Sequence, residues 1–279
     1  MSHADITIVI ATFKSSKIIG TCLESIDKRC KVIIIENSGE RDLKNLVENK
    51  HNNIEFIVAN ENLGYGKANN LGLSKVKTKY ALILNPDTFL EKNALENFLN
   101  RAKKFPDFTL LGPLLGQRLD VKETKEKKLI VVKNLKGFAI FFNLSKFEEK
   151  SFYDENYFLY FEDIDLCRKV RNENGKIYLD PEVKIFHSEA QSVDPSLNFE
   201  VEKNRNWHWM WSSFYYHKKY SNFLTALFIV SPKLLSSLTK ILFYYLIFNK
   251  KKRIIYQYRL MGLINSILGK KSWYRLSLD

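Results

Sequence analysis

Residues 79–87 read KYALILNPD, a short apolar run that ends in Asn85, Pro86 and Asp87. An apolar run of this length, closed by turn-forming residues, is typical of a strand that is buried on both faces. Residues 65–76, just before it, are predicted as a helix. A helix that leads into a buried strand is part of the repeating unit from which parallel sheets are built.

The same alternation is present on both sides of this stretch. Apolar runs and helical spacing predict strands at 5–11, 31–37 and 53–60 and helices at 15–28 and 40–50. Later in the chain they predict a strand at 137–143, a helix within 158–175 and two short strands around Asp180-Pro181 within 176–187. Strands and helices that alternate at this spacing predict an α/β fold with a mainly parallel sheet flanked by helices.

Polar residues follow each of the first four predicted strands. The strands end in Thr12, in Glu36-Asn37-Ser38, in Asn60-Glu61-Asn62-Leu63-Gly64 and in Asn85-Pro86-Asp87. Because right-handed crossovers place the carboxyl ends of parallel strands at one edge of the sheet, these groups should lie together. Ordinary turn chemistry explains any one of these loops. Four such loops in succession predict a ligand site at that edge.

Charge divides the chain into two parts. Hydrophobic residues make up 45% of the 279 residues and charged residues 27%, which excludes a wholly disordered chain. The net charge is +13, and residues 201–279 carry +12 of it, with 14 basic and two acidic residues. All four tryptophans, Trp207, Trp209, Trp211 and Trp273, lie there too. We therefore predict a near-neutral body over 1–200 and a basic, aromatic helical region over 201–279.

The C-terminal region has the composition of a membrane-associating segment. Residues 223–248 are mainly apolar, but Pro232, Lys233 and Lys240 interrupt them, which predicts a broken, in-plane or hairpin arrangement rather than a spanning helix. The basic run KKKR at 250–253 favours an anionic membrane surface. A helical subdomain packed on the body, or an interface between copies of the chain, is the alternative. Trp207, Trp209 and Trp211 cannot share one helix face, so some should be exposed.

The cysteines and the N-terminus favour a reducing compartment. Cys22, Cys30 and Cys167 cannot form a disulfide framework, and the sequence has no CxxC pair for zinc. The N-terminal run MSHADITIVIATF lacks the basic start and small-residue cleavage site of a signal peptide. We expect a cytoplasmic protein, peripheral on the inner face of the cell membrane.

An ordered series of motifs resembles the family 2 glycosyltransferases. The series comprises IVIATF, VIIIENS, NLGYGKANNLG, LNPDT and FLYFEDIDLCRKVRNENGKI, followed by His187, and the resemblance covers about residues 5–220. Within that family the chain looks most like the bacterial rhamnosyltransferase-like branch. The resemblance implies the GT-A fold and an inverting, metal-dependent transfer of a sugar from a dTDP- or UDP-sugar to a glycan or lipid-linked acceptor.

The resemblance also implies which residues react. Asp163 would be the general base that takes the acceptor's hydroxyl proton, and Glu162 would orient the acceptor. Asp87 would hold Mg²⁺ or Mn²⁺ against the diphosphate, although the first acid of the family motif is Asn85 here. His187 is either a further metal ligand or a structural histidine, and the sequence leaves both open.

Other residues of the motifs would bind the donor. They are Thr12, Glu36, Asn37, Asn62, Gly64, Asn70, Asn85 and Gly137. Glu36 replaces the family's usual aspartate, which leaves the base of the nucleotide open. Arg205 and His208 are candidates for contacts near the diphosphate.

Three alternative functions can be compared with the sequence. A sugar nucleotidyltransferase would need a glycine-rich loop after the first strand, where this chain has ATFKSSK. An inactive relative is allowed by Asn85 and Glu36. A nucleic-acid-binding protein would explain the basic region, but that region is too apolar, so we expect no nucleic-acid partner. A homo-oligomer is allowed.

Overall fold

The computed structural model describes residues 2–48, 52–115, 128–148, 152–188 and 197–276. The chain forms two compact units, which we describe separately. The first contains Met1–Asp154 and Asp163–Asp194, and the second contains Glu155–Glu162 and Pro195–Asp279. The stretch 120–128, whose charges predict a solvated loop, lies outside the described residues except for Lys128.

The first unit alternates strands and helices, as the apolar pattern predicts. Its strands are β1 (Ile6–Thr12), β2 (Lys31–Glu36), β3 (Ile54–Val58), β4 (Tyr80–Leu84), β5 (Thr88–Leu90), β6 (Phe108–Leu115), β7 (Ile130–Val131), β8 (Ala139–Asn143) and β9 (Lys176–His187). Its helices are α1 (Ile19–Glu24), α2 (Arg41–Glu48), α3 (Tyr65–Ser74) and α4 (Ala94–Lys104). Helix α5 (Glu162–Asn172) begins at the boundary between the units.

The strands form one sheet in the order β3-β2-β1-β4-β8-β6-β9-β5, and β7 pairs with β9. Strands β1, β2, β3 and β4 are parallel, which confirms the prediction for this half. Strand β8 runs antiparallel to β4 and to β6, and β9 runs antiparallel to β5 but parallel to β6, so the sheet as a whole is mixed. The reversal brings the start of β8 to the edge where β4 ends.

Both faces of the sheet are covered, which is why the central strands are almost wholly apolar. Ile8 and Ile10 of β1 lie in the core on one face, and Val9 lies in the core on the other. Helix α3 lies very close to the sheet at Gly72, where an added Cβ would lie 2.3 Å from Val9 Cγ1. The glycine therefore allows α3 to approach β1, and this contact positions the loop before α3.

Residues 176–187 form one strand, so the prediction of two short strands was wrong. The pairing of β9 with β6 shifts register after Asp180, and Lys184 is the next residue that pairs. This irregularity accommodates Pro181 within a continuous strand. Asp180 is buried at the shift, and Arg101 of α4 donates to its Oδ2 at 2.8 Å.

The second unit contains α6 (Asn198–Tyr220), α7 (Phe223–Leu246) and α8 (Lys250–Ile267). Helices α6 and α8 run parallel, because their contacts advance in the same direction along both helices, from Asn206–Arg259 to Trp211–Ser266. They also lie very close, since an added Cβ on Gly262 would lie 2.1 Å from the Trp207 carbonyl oxygen. Trp207 and Trp211 are buried and Trp209 is 40% exposed, which confirms that the three do not share a face.

Helix α7 is continuous through Pro232, so the prediction of a broken segment was wrong. The two lysines that interrupt its apolar sequence both bond to neighbouring helices. Lys233 donates to Ser213 Oγ of α6 at 2.6 Å, and Lys240 donates to the Tyr256 hydroxyl of α8 at 3.1 Å. The charged groups are therefore satisfied without ending the helix.

Candidate active site

The polar strand ends meet at one edge of the sheet, as the parallel order predicts. The Asn37 N–H donates to the Thr12 carbonyl at 2.9 Å, which joins the ends of β1 and β2. The Asn85 N–H donates to the Phe138 carbonyl at 2.9 Å, which joins the end of β4 to the residue before β8. The buried Thr12 hydroxyl donates to the Ile35 carbonyl at 3.4 Å. These backbone contacts fix the loops that carry the candidate residues.

Asp163 lies at the start of α5 and is held by two backbone groups. Its Oδ2 accepts from the Gly137 N–H at 3.1 Å, and its Oδ1 accepts from the Ile164 N–H at 2.8 Å. Burial raises the pKa of Asp163, and the hydrogen bonds from Ile164 and Gly137 oppose that rise. A carboxylate that is fixed in place and more basic than usual is suited to accept a proton.

The residues just before Asp163 have an unusual backbone that the sequence does not reveal. Tyr160 has φ 67° and Phe161 has φ 69°, both in the left-handed region that large side chains rarely adopt. Such strain collects at functional sites and costs about 1–3 kcal/mol for each residue. Burial raises the pKa of Tyr160 to about 12, with Arg205 opposing and Glu162 adding to the rise. Glu162 itself is 6% exposed.

Asp87 and His187 form a close pair at the end of β4 and the end of β9. Asp87 Oδ1 lies 3.2 Å from His187 Nε2, and this oxygen is buried without a well-aligned hydrogen bond among the described residues. Asn85 Nδ2 lies 3.3 Å from the same ring nitrogen. The protonation of Nε2 therefore decides whether His187 bonds to Asp87 or to Asn85. When Nε2 carries no proton, its single lone pair can either accept from Asn85 or bind a cation in place of that bond.

Two aromatic residues connect this pair to Asp163. The Phe138 ring stacks on the His187 ring with centroids 4.9 Å apart and planes at 10°. Tyr65 of α3 donates from its hydroxyl to the Gly137 carbonyl. Gly137 thus receives a bond on one side and gives one to Asp163 on the other, so it has little freedom to move. The sequence motifs contain Tyr65, but its spacing gives no indication of this contact.

The carboxylate of Asp87 and the imidazole of His187 provide only part of the ligand shell that a divalent cation needs. A carboxylate oxygen and an imidazole nitrogen are both ligands that Mn²⁺ accepts in proteins, and Mg²⁺ prefers oxygen. Among the residues that the structure describes, no cluster of three or more His, Cys, Asp or Glu side chains could hold a metal ion. The unbonded Asp87 oxygen and the facing His187 nitrogen fit a cation that takes its other ligands from a bound diphosphate and water.

In the loop after β2, the Glu36 carboxylate accepts hydrogen bonds from the loop itself. Glu36 is fully buried, and its Oε1 accepts from the N–H of Ser38 at 2.7 Å and from the Ser38 hydroxyl. Its Oε2 accepts from the Glu40 N–H at 2.9 Å. Glu36 therefore shapes the 38–40 loop. Asn37, also predicted to bind the donor, accepts from the Leu63 N–H at 3.3 Å and joins this loop to the next one.

The loop before α3 contains a position that requires glycine. Gly64 has φ 77° and ψ −176°, a conformation that is almost exclusive to glycine. Asn62 accepts the Gly64 N–H at 3.1 Å and so sets the turn that starts the helix. Lys67 Nζ lies 3.7 Å from Glu61 Oε1. This contact is a solvated ion pair of the kind expected for a surface lysine.

Two predicted ligand residues have structural roles instead. Asn70 donates to the Tyr153 carbonyl and accepts from the Tyr153 N–H, both at 2.9 Å, so its amide holds the segment after residue 151 against α3. His208 is fully buried in the second unit, where its ring bonds to Ser272 Oγ and to the Tyr274 carbonyl, both at 2.9 Å. Burial lowers the pKa of His208 to about 3, so it does not carry the positive charge that a diphosphate contact needs.

Comparison with known proteins identifies glycosyltransferases as similar to this chain. The model for Glycosyl transferase family 2 matches residues 7–167, more than half of the chain. The chain is 24% identical over 226 residues to the low-salt glycan biosynthesis hexosyltransferase Agl10 of Haloferax volcanii, covering 72% of this chain and 69% of that protein. It is 24% identical over 200 residues to the rhamnosyltransferase WbbL of Escherichia coli K12, covering 59% and 75%.

A solved structure shows the same fold. The mannosyltransferase PcManGT from Pyrobaculum calidifontis, in complex with GDP-Man and Mn²⁺, superposes with a TM-score of 0.60 at 13% identity. The superposition covers 96% of this chain and 88% of that one. At this identity the likeness shows the fold alone. Because the family model matches more than half of the chain, including Thr12, Asp87 and Asp163, the chain belongs to glycosyltransferase family 2, has the GT-A fold and is a glycosyltransferase.

Proposed function

We propose that the chain transfers a sugar from a dTDP- or UDP-sugar to an acceptor hydroxyl, with inversion at the anomeric carbon. One observation carries this proposal, the short connection between a proton acceptor and a cation-binding pair. Asp163 accepts from the Gly137 N–H, and the next residue, Phe138, stacks on His187, which faces Asp87. The two halves of a displacement reaction, a base and a site for the leaving group's charge, are therefore joined through two consecutive residues.

In this mechanism Asp163 takes the proton of the acceptor hydroxyl as that oxygen forms its bond to the anomeric carbon. The bond from that carbon to the diphosphate oxygen breaks, and the nucleoside diphosphate leaves with the electron pair. Burial raises the pKa of Asp163, which makes it a stronger base than an exposed aspartate. A single base acting by direct displacement gives inversion. Glu162, the preceding residue, is proposed to orient the acceptor.

Asp87 and His187 are the residues that would hold Mg²⁺ or Mn²⁺, with Asn85 beside them. When bound, the cation would supply positive charge against the departing diphosphate. Because only two such ligands face the position in the part of the chain that the structure describes, its affinity for the cation should depend on the nucleotide. Thr12, Asn37, Asn62 and Gly64 are proposed to contact the donor, and Glu36 is proposed to act by shaping their loop.

A thermal-shift panel tests the donor and metal together. The purified chain is heated with UDP, dTDP, GDP or CMP, with and without Mn²⁺, because a ligand of the folded state raises the melting temperature. We expect Mn²⁺-dependent stabilisation by UDP or dTDP that is lost in Asp87→Ala. Asp107→Ala is the matched control, since Asp107 is a surface aspartate paired only with Lys176 among the described contacts. No shift with any nucleotide, or a shift that survives in Asp87→Ala, would contradict the proposal.

We also propose that the acceptor is a glycan or lipid-linked glycan at the cytoplasmic face of an anionic membrane. Within the described residues, Phe223–Leu246 is a helix long and apolar enough to cross a membrane, judged by length and composition only. Its exposed apolar side chains recur on one face, and each is more than 60% exposed: Leu224, Phe228, Leu235, Leu242 and Leu246. Neither lysine of α7 belongs to this face, because both bond to α6 or α8.

The packing of α7 supports an arrangement in the plane of the membrane. Ala226 and Val230 of α7 are buried in a core shared with Met210 of α6 and Leu263 of α8. A spanning α7 would carry these helices and their charges into hydrocarbon, which is costly. With the outer face in the lipid, α6 and α8 stay in water. The turn after α7 presents Phe248, which is 93% exposed, two residues before the basic run at 250–253 begins.

Vesicle sedimentation tests the membrane proposal with the full chain. We expect binding to phosphatidylglycerol vesicles, and a loss of about tenfold or more in the double variant Phe228→Ser/Leu235→Ser, because each buried side chain contributes about 1.5–3 kcal/mol. Val131→Ser is the control, since Val131 is 76% exposed but lies in the first unit. Equal binding of all three proteins would contradict the proposal. A dimer in vesicle-free solution that dissociates in the double variant would assign this face to a second copy of the chain.

A further inference from the structure

The second unit contains a pocket of about 290 Å³ that plays no part in the chemistry above. Four lysines line it: Lys218, Lys219, Lys270 and Lys271. Trp211 and Tyr215 form an aromatic wall, with their rings stacked at 5.0 Å and 19°. Among the residues that the structure describes, the lining includes no carboxylate. A cavity lined by four lysines is suited to an anion.

The parallel course of α6 and α8 creates this arrangement. Ser266, near the end of α8, donates from its Oγ to the Trp211 carbonyl of α6 at 2.8 Å, and the pocket is lined from this contact to the last turn of α6. Lys218 and Lys219 belong to the last turn of α6, and Lys270 and Lys271 follow the end of α8. Residues 201–279 therefore bring two lysine pairs that are far apart in sequence to one place.

The backbone that carries the second lysine pair is held in position. The Trp211 indole N–H donates to the Lys270 carbonyl at 2.9 Å, and the Lys270 N–H donates to the Asn265 carbonyl at 2.9 Å. Gly269 turns the chain here with φ 72°. A site whose backbone is already fixed binds its ligand with less loss of conformational entropy.

The stabilisation of helix C-termini by positive charge explains only part of this arrangement of lysines. A positive charge near a helix C-terminus stabilises it by about 0.3–1 kcal/mol. That effect accounts for a lysine at each end, but it does not require both pairs to face one cavity.

We propose that the pocket binds a phosphate or diphosphate group, and that this group belongs to the acceptor. Lysine ammonium groups act as point charges for phosphate, and the aromatic wall suits the less polar part of the same molecule. Asn156 also lines the pocket, and it lies on the 155–162 segment that leads directly into Asp163. The assignment to the acceptor rests on the proposed transferase function, whereas the phosphate site itself does not.

Calorimetric titration with pyrophosphate tests the site in the full chain, with EDTA and without donor. We expect the Kd to rise at least tenfold in Lys270→Ala/Lys271→Ala and less than twofold in Lys250→Ala/Lys251→Ala. The control pair removes the same charge from exposed positions at the start of α8, outside the pocket. Unchanged melting temperatures would show that both variants fold. No binding, or equal weakening by both pairs, would overturn the proposal.

A second arm separates the sources of the phosphate. The same variants are sedimented with phosphatidylglycerol vesicles. If the pocket takes the acceptor's phosphate, Lys270→Ala/Lys271→Ala loses pyrophosphate affinity and keeps its vesicle binding. If vesicle binding also falls tenfold, a lipid headgroup is the ligand, and the assignment to the acceptor is overturned. Because neither readout needs sugar transfer, a failure of the proposed transferase chemistry would not be mistaken for a failure of this site.

Discussion

Replacing Asp163 by asparagine should separate its catalytic role from its structural one. Asparagine has the same shape but cannot take a proton, so we expect kcat to fall by about 10²–10⁴, the usual contribution of a general base. Donor affinity should stay within a few-fold, because the predicted donor contacts come from other loops. Asp107→Asn, on the surface of the same unit, should keep full activity.

The effect on stability can be worked out from the two backbone bonds. Asp163 accepts from Gly137 and from Ile164 through different oxygens. Asparagine has one acceptor oxygen, so one N–H loses its partner, at a cost of about 1–3 kcal/mol. The two proteins are compared most simply below about pH 3, where the aspartate is protonated in both the folded and the unfolded state.

At higher pH the free energy of unfolding of the wild type should fall relative to that of Asp163→Asn. Burial raises the pKa of Asp163 in the folded state, so the folded wild type binds the proton more tightly than the unfolded chain. Its contribution to stability is therefore complete below the unfolded pKa of about 3.9 and is lost as the pH rises through the folded pKa. The loss is about 1.4 kcal/mol for each unit by which the pKa is raised. The asparagine variant does not ionise and has no such loss.

Two measurements check this reasoning. Release of nucleoside diphosphate gives kcat, and urea unfolding at several pH values gives the free energy of unfolding. Far-UV circular dichroism is the better probe, because all four tryptophans lie in residues 201–279 and would report mainly on the second unit. A variant that keeps more than about a tenth of kcat, or a difference in stability that does not change with pH, would refute the role assigned to Asp163.

Three further substitutions test packing and backbone geometry. Gly262→Ala should cost at least about 1–3 kcal/mol in urea unfolding followed by tryptophan fluorescence, because its Cβ would lie 2.1 Å from a backbone oxygen of α6. Gly20→Ala, with nothing within 4 Å of its Cβ, should be neutral or slightly stabilising. Gly64→Ala should lose about 1–3 kcal/mol through its φ of 77° and should weaken donor binding in the thermal-shift panel. Asn70→Ala should destabilise by about 1–3 kcal/mol for each Tyr153 backbone group left unpaired, with nucleotide-induced shifts unchanged.

Much of the first unit could be predicted because its signals are local. A run such as 79–87 shows by itself that it is a buried strand, and the alternation of strands with helices sets β1 to β4 parallel. That order alone brings Thr12 and Asp87 to one edge. The later strands could not be ordered in this way, because β8 and β9 pair with strands far from them in sequence and in both directions.

The sequence by itself determined the α/β body, the polar edge of its sheet and the basic, apolar character of residues 201–279, because composition and periodicity are properties of neighbouring residues. Only the tertiary structure decided which polar groups remain available for chemistry. Asn70 meets Tyr153 83 positions away, and His208 meets Ser272 64 positions away, so both are consumed by contacts that no local pattern contains. The lysines of α7 also turn towards α6 and α8, and this packing leaves the opposite face of the helix without a charged side chain.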